Sequence, residues 1–215
     1  MSSSDYKEPL REGISELKIS KSRFIGNVRI VRSREAMRCF LKEISDQHKQ
    51  ATHNCWAYRI GATSVEEHYS DDGEPSGTAG KPILGAILRK DLTNTLVVVT
   101  RYYGGIKLGV RGLIEAYGST ASLVLESSGV IERAPSQDYV IRMHYDSIGL
   151  LSGIVRSFGV KENDVKFEYA QDVMMRFALP LAAAVDFEKI LDELRQSSRV
   201  HNWGVCSEEN GFIEN

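Results

Sequence analysis

The sequence predicts an α+β protein of two domains, residues 1–134 and residues 135–215. Patterns typical of strands alternate with patterns typical of helices in both parts. A Pro-containing segment from Arg133 to Gln137 separates them and is typical of a linker. The part that follows has a complete β-α-β-β-α-β order, which is the ferredoxin-like arrangement. A chain of 215 residues is long enough to form both cores.

The composition is that of an ordinary soluble globular protein, with 42% hydrophobic residues, 26% charged residues and a net charge of -2. No apolar run approaches the roughly 20 residues that a membrane-spanning helix needs. The first residues contain no apolar signal segment, so we expect a cytoplasmic protein with no membrane partner. Cys39, Cys55 and Cys206 lack the spacing of metal ligands and are expected to be reduced thiols. Because the net charge is near zero, attraction to a polyanion must come from a local site.

In the first part, residues 1–12 are polar and are expected to be loose. Beyond them, apolar residues that recur every three to four positions predict helices, and strict alternation predicts strands. Leu96–Val99 is apolar at every position, which predicts a central strand covered on both faces. The expected elements are two strands over 15–31, a helix from the N-cap Ser33 to about Gln47, strands over His53–Ile60 and His68–Ser70, a helix with Pro82 at an early position, the strand at Leu96–Val99, and a helix from about Leu113 to Gly129.

The second part carries the same two kinds of pattern. The expected elements are strands over Tyr139–Tyr145, Val165–Tyr169, Val173–Leu179 and Val200–Val205, with helices over Ile148–Phe158 and Phe187–Leu194. Gly159 is expected to end the first of these helices. His144 and His201, like His48 in the first part, are isolated in the sequence and receive no predicted role.

The first candidate site is the segment Thr100–Gly112, which lies between a predicted strand and a predicted helix. Glycine allows backbone N–H groups to approach a ligand, and a helix N-terminus adds partial positive charge, so the segment suits an anion. The alternative is a tight turn with solvated cations, because the segment matches neither common phosphate-loop template. The residues predicted to bind a nucleic acid or another anion are Arg101, Tyr102, Tyr103, Gly104, Gly105, Lys107, Gly109 and Arg111, with Thr78 and Lys81 from the preceding loop.

The second candidate site is the loop from Asp71 to Pro82, which is rich in Gly and Pro. Its carboxylates could bind a hard cation or supply a general base. The alternative is a charged turn in which Ser76 or Thr78 caps the following helix. The residues of this possible pocket are His53, Asp71, Asp72, Glu74 and Ser76.

A third observation concerns His53 and Cys55, which share one face of their predicted strand. They could form part of a catalytic pair or half of a metal site. No further Cys or His pair completes a metal cage, however, and two such side chains on one strand usually diverge. We therefore expect Cys55 to pack in the core and His53 to line a pocket. The sequence predicts neither a metal site nor a cofactor.

Three segments together resemble the YigZ/IMPACT family: Ala51–Tyr58, Ser70–Leu84 and Thr100–Gly112. The resemblance is strong from about Ile19 to Gly129. It implies a first domain with the β-α fold shared by a small-subunit ribosomal protein domain, the RNase PH core and domain IV of elongation factor G. It implies a second domain similar to the ferredoxin-like domain V of that factor.

The resemblance also implies a function. Eukaryotic members regulate the initiation of translation by binding an activator of a stress kinase, and bacterial members are proposed to bind nucleic acid or ribosomes. We therefore expect a non-enzymatic protein that associates with RNA or the ribosome. The alternatives are a module that binds a protein partner and, third, a phosphate-ester hydrolase or transferase. Arg111 departs from the family pattern, since many bacterial members carry glycine there, and it adds positive charge beside Lys107.

Overall fold

The computed structural model describes residues 5–62, 64–207 and 211–214, and the side chain of Cys206 lies outside the described part. The chain forms two compact units, Asp5–Arg133 and Ala134–Asn215. Both combine helices with a β-sheet, so the predicted α+β class is confirmed. None of the described helices has the length and apolar composition required to cross a lipid bilayer.

The first unit is built on an antiparallel sheet of five strands in the order β2-β3-β6-β4-β5. In chain order its elements are β1 (Tyr6–Pro9), β2 (Gly13–Ile19), β3 (Ser22–Ile30), α1 (Arg34–Gln47), β4 (His53–Ile60), β5 (Glu66–Ser70), α2 (Gly80–Arg89), β6 (Thr95–Tyr102), α3 (Gly109–Ser128) and β7 (Val130–Arg133).

Helices α2 and α3 pack on one face of this sheet, and α1 packs on the other. Successive side chains of a strand point to opposite faces. Val97 and Val99 of β6 therefore join the core beneath α2 and α3, whereas Leu96 and Val98 join the core beneath α1. The prediction of a central strand covered on both faces is confirmed.

Local signals place the ends of two helices as predicted. Ser33 accepts a hydrogen bond from the backbone N–H of Ala36 at 3.2 Å and so caps α1. Helix α3 ends at Gly129, which has a φ of +67°. Glycine suits this position because a residue with a side chain is strained in that conformation.

The prediction of a loose N-terminus is wrong for Tyr6–Pro9. This segment forms β1 and pairs with β7 at the other end of the first unit. Glu8 is fully buried, and its carboxylate accepts hydrogen bonds from Arg32 at 3.0 Å and from Arg133 at 2.9 Å. A short polar strand whose partner lies far along the chain has no local pattern that could reveal it.

The second unit has a sheet in the order β12-β11-β8-β10-β9. Its elements are β8 (Ser136–Met143), α4 (Ile148–Ser157), β9 (Lys166–Tyr169), β10 (Val173–Pro180), α5 (Leu181–Gln196), β11 (Val200–Ser207) and β12 (Gly211–Glu214). Apart from β12, which the sequence did not predict, this is the ferredoxin-like arrangement. The predicted linker is much shorter than expected, because β7 ends at Arg133 and β8 begins at Ser136.

Two histidines that the sequence treats as isolated are neighbours in this unit. The ring centroids of His144 and His201 lie 3.9 Å apart. They meet because the end of β8 pairs with the start of β11, with Met143 opposite Val200. Sequence separation had concealed this proximity.

Candidate functional site

Two loops meet at one end of the first sheet. Strand β4 begins where β6 ends, since the strands are antiparallel and His53 pairs with Arg101. The residues Asp71–Ala79, here called the acidic loop, follow β5 and contact His53 and Asn54. The residues Tyr103–Leu108, here called the glycine-rich loop, connect β6 to α3. The topology therefore makes neighbours of the two segments that the sequence singled out.

The acidic loop is connected to β6 and α3 by a buried ion pair. Glu74 Oε1 accepts hydrogen bonds from Arg101 Nη1 at 2.5 Å and from the Tyr117 hydroxyl at 2.8 Å. The side chains of Glu74 and Arg101 are only 4% and 7% exposed. His53 Nε2 lies 4.0 Å from the same oxygen. Glu74 is thus the central acceptor of the cluster.

Arg101 differs from the sequence prediction, which placed its guanidinium on the surface. Arg101 continues the alternation of Val97 and Val99, so its side chain points to the face covered by α2 and α3. Its Cζ lies 5.4 Å from the ring centroid of Phe24 and 5.3 Å from that of Tyr103. Because Arg101 is buried and paired with Glu74, its guanidinium cannot reach a ligand in solvent. The prediction that it binds an anion is therefore wrong.

Tyr102 lies on the opposite face of β6 and is also engaged. Its hydroxyl is 2.9 Å from His48 Nδ1, and the Arg23 guanidinium carbon lies 4.8 Å from its ring centroid. Tyr103 is 45% exposed, so it is the better placed of the two tyrosines for stacking with a ligand.

Asp71 organises the acidic loop through its carboxylate. Oδ1 accepts from the backbone N–H groups of Ala79 and Gly80 at 2.9 and 2.8 Å, and Oδ2 accepts from that of Gly77 at 2.8 Å. Partial burial raises the pKa of Asp71, but the three N–H donors together lower it by more. The net pKa is therefore below its ordinary value. An aspartate held ionised in this way is a poor general base.

Neither Ser76 nor Thr78 caps α2, although the sequence left both open as caps. The residue before α2 makes no side-chain cap, and Asp71 satisfies the first N–H groups instead. Ser76 is exposed, whereas Thr78 is buried and its hydroxyl donates to the Pro75 carbonyl at 2.6 Å. Thr78 therefore does not present its hydroxyl to a ligand, while Lys81 remains exposed.

Asp72 and His53 form the remaining part of the predicted pocket. Asp72 Oδ2 accepts from the backbone N–H of Asn54 at 2.6 Å, and the Asp72 carbonyl oxygen lies 2.6 Å from His53 Nδ1. Like Asp71, Asp72 is thus engaged with the backbone of its own unit. This geometry favours the charged-turn interpretation of the acidic loop.

Cys55 is fully buried, which agrees with the predicted packing role. Burial is the main cause that raises the pKa of the Cys55 thiol, to about 12. Burial also raises the pKa of the neighbouring Tyr117 hydroxyl, and Glu74 adds to that shift. Neither group is a ready nucleophile at neutral pH, because each is held in its protonated form.

We expect iodoacetamide at pH 8 to modify Cys39 in the folded protein and to leave Cys55 unmodified. Cys39 is exposed, whereas at a pKa of about 12 only roughly one in 10,000 Cys55 thiols is ionised at this pH. Mass spectrometry of peptides measures the labelling of each thiol, and labelling in urea is the control. Equal labelling rates in the folded protein would contradict the burial of Cys55.

The start of α3 carries exposed positive charge. Lys107 is exposed, and the Arg111 side chain is 93% exposed. The ion pair of Arg111 with Glu115, at 3.1 Å, is fully in solvent and contributes little, so Arg111 can exchange it for another anion. Helix α3 begins at Gly109 without a side-chain cap, and its dipole adds partial positive charge at the same place.

The glycines of this segment have different roles. A Cβ on Gly104 would lie 2.0 Å from the Lys21 carbonyl, and the Gly104 N–H donates to Ser22 Oγ at 3.1 Å. Gly104 is therefore required for chain packing. Its N–H is already used within the chain, so the prediction that Gly104 binds an anion is wrong. Gly105 and Gly109 have φ of +85° and +70°, with open space where a Cβ would lie. Their backbone can still approach a ligand closely.

The sequence missed one basic residue beside the glycine-rich loop. Lys21, exposed in the turn between β2 and β3, lies against Gly104. Arg23, two residues further on, pairs with Tyr102, and its guanidinium lies over the Tyr102 ring on the opposite face of the sheet. A basic hairpin turn was visible in the sequence, but nothing local indicated that β3 lies beside β6.

Comparison with known proteins agrees with this architecture. Residues 20–125 match the model of the Impact N-terminal domain. The IMPACT family member YvyE of Bacillus subtilis is 42% identical over 162 residues, covering 73% of this chain and 75% of that protein. The IMPACT family member YigZ of Escherichia coli is 34% identical, covering 84% and 88%. A crystal structure of a hypothetical protein is 30% identical, with a TM-score of 0.67 and coverage of 94% of this chain and 96% of that one. The chain belongs to the IMPACT family.

Proposed function

We propose that this protein is a non-enzymatic regulator of translation that binds structured RNA or the ribosome in the cytoplasm. The observation that carries the proposal is the exposed positive charge of Lys107 and Arg111 at the start of α3, with Lys21 also exposed in a turn that contacts Gly104. Membership of the IMPACT family supports the connection with translation, because eukaryotic members of the family regulate the initiation of translation.

The chemistry of the surface suits the phosphate backbone of a nucleic acid. Lys107 offers a compact charge and Arg111 offers a planar fork that can bind phosphate through two donors. The N-terminus of α3 and the open backbone at Gly105 add N–H donors. Tyr103, half exposed, supplies a flat face on which an unpaired base could stack.

The buried cluster beneath this surface gives it rigidity. Tyr103 lies over the Arg101 guanidinium, and Arg101 is held by Glu74. The Tyr103 N–H also donates to Thr52 Oγ1 at 3.0 Å. A surface that is already ordered loses less conformational entropy on binding, which favours affinity.

Removing both exposed cations, Lys107→Ala with Arg111→Ala, is expected to weaken binding of ribosomal RNA at least about fivefold at low salt. The slope of log affinity against log salt concentration should also fall by about 1 to 2, because fewer counterions are released. Fluorescence anisotropy with labelled RNA at several salt concentrations measures both quantities.

The matched control is Arg38→Ala with Lys42→Ala, which removes the same charge from exposed positions of α1 on the other face of the sheet. This control should keep the affinity of the unmodified protein. Equal affinity of the two double variants for RNA would contradict the assignment of Lys107 and Arg111 to the binding site. An unmodified protein that fails to bind RNA or ribosomes at low salt would instead favour regulation through a protein partner.

A further inference from the structure

A group of ligating side chains lies in the second unit, apart from the basic surface. His144 directly follows β8, Asp172 directly precedes β10, and His201 is the second residue of β11. Met143, the last residue of β8, pairs with the first residue of β10 and with the first residue of β11. The sheet therefore brings all three side chains to one end.

The distances between the ligand atoms are close to those of a metal site. Asp172 Oδ1 lies 3.5 Å from His201 Nε2 and 3.9 Å from His144 Nδ1. One ligand atom of each residue lies within 4.8 Å of both others. Ligands of a tetrahedral zinc ion with bonds of about 2.0–2.1 Å are about 3.3 Å apart, so small side-chain rotations would suffice.

Two features of the backbone and of the surroundings support these positions. The register of β11 against β8 shifts between Val200 and Asn202, and such an irregularity redirects the side chain at His201. Arg142 Nε donates to Asp172 Oδ2 at 3.0 Å, which leaves Oδ1 directed to the histidines. A ligand carboxylate that is hydrogen-bonded through its other oxygen is typical of metal sites.

We propose that His144, Asp172 and His201 bind one divalent transition-metal ion, with Zn²⁺ as the best match. Two imidazoles and one carboxylate are the donors that such ions prefer. Mg²⁺ and Ca²⁺ fit poorly, because they prefer oxygen ligands and the Arg142 charge offsets that of Asp172. The His144 side chain is 61% exposed, so water can complete the coordination.

The bound ion would connect side chains at the ends of three strands, β8, β10 and β11. The His144 and His201 rings meet edge to face with centroids 3.9 Å apart, and Asp172 Oδ1 faces a nitrogen of each ring. An ion bound only by the folded state stabilises it in proportion to the logarithm of metal concentration. We therefore expect micromolar Zn²⁺ to raise the midpoint of unfolding of the second unit.

Calorimetric titration of the full, tag-free chain, freed of metal by chelator, tests the proposal at neutral pH. The expected result is one Zn²⁺ bound per chain, with His144→Ala plus His201→Ala weakening the affinity at least about 100-fold. Co²⁺ should give visible absorption bands in the unmodified protein, and the same double variant should lose them. Mg²⁺ should not compete.

The matched control is His48→Ala with His68→Ala, which removes two histidines of the first unit and should bind Zn²⁺ as the unmodified protein does. Circular dichroism checks the fold of each variant, and the His144 and His201 variant is expected to fold because both side chains are exposed. The proposal is overturned if the unmodified protein binds no Zn²⁺, if the His144 and His201 double variant binds it equally well, or if Mg²⁺ displaces it.

Discussion

Replacing Glu74 by Ala in the full chain is expected to lower the free energy of unfolding of the first unit by about 3–5 kcal/mol. The substitution leaves the Arg101 guanidinium buried with no counter-ion and removes the acceptor of the Tyr117 hydroxyl. Arg101 Nε already has no hydrogen-bond partner, so the remaining guanidinium would be poorly compensated. The loss measures the penalty of an unpaired charge in the core and exceeds the net contribution of the intact pair.

Amide hydrogen exchange, read by mass spectrometry in β4 and β6, measures this effect, with β8 and β10 as the internal reference. Two further variants separate the effect of the unpaired Arg101 charge from the effect of the lost Glu74 side chain. Glu74→Gln keeps an acceptor oxygen and should cost less than Glu74→Ala. Adding Arg101→Met to Glu74→Ala should recover part of the loss, because the buried charge is then absent. Exchange in the Glu74→Ala variant that matched the unmodified protein would contradict the buried ion pair.

Replacing Asp71 by Ala is expected to destabilise the first unit by about 2–4 kcal/mol, because several backbone donors lose their acceptor at once. The affected N–H groups belong to Gly77, Ala79 and Gly80, which include the start of α2. Hydrogen exchange should rise most in the acidic loop and in the first turn of α2. The control Asp72→Asn should cost much less, because Asp72 supports one backbone N–H and asparagine tolerates its positive φ.

Asp71 also gives the stability of the first unit a defined dependence on pH. Its pKa is lower in the folded state, so its stabilising effect is complete above the ordinary aspartate pKa of about 3.9 and is lost as the pH falls through the folded pKa. In Asp71→Asn the ionisation is absent. The urea midpoint of this variant should therefore fall less between about pH 5 and pH 2 than that of the unmodified protein. A parallel fall in both would show that Asp71 titrates normally.

Much of the fold could be predicted from the sequence, because it depends on short-range patterns. The apolar run Leu96–Val99 identified the covered central strand, and the βαββαβ order of the second part identified the ferredoxin-like arrangement. The cap at Ser33 and the stop at Gly129 depend on the conformation of a few adjacent residues. Strand β1 escaped prediction because its partner β7 is more than 100 residues away.

The candidate site was predictable in its location and less so in its chemistry. The sequence identified both loops, and the sheet places them together at the junction of β4 and β6. It could not determine that Glu74 neutralises Arg101 or that Asp71 serves the backbone. A side chain acquires such a role only from partners that the fold brings to it.

The sequence by itself determined the family, the α+β class, the alternation that buries Cys55 and the position of the glycine-rich segment before α3. Only the tertiary structure decided that Arg101 belongs to the core, leaving Lys107 and Arg111 exposed, and that the ends of β8, β10 and β11 gather ligating side chains. The physical reason is the range of the interactions. Hydrophobic periodicity and capping act over a few residues, whereas burial of a charge depends on strand register and on partners distant in the chain.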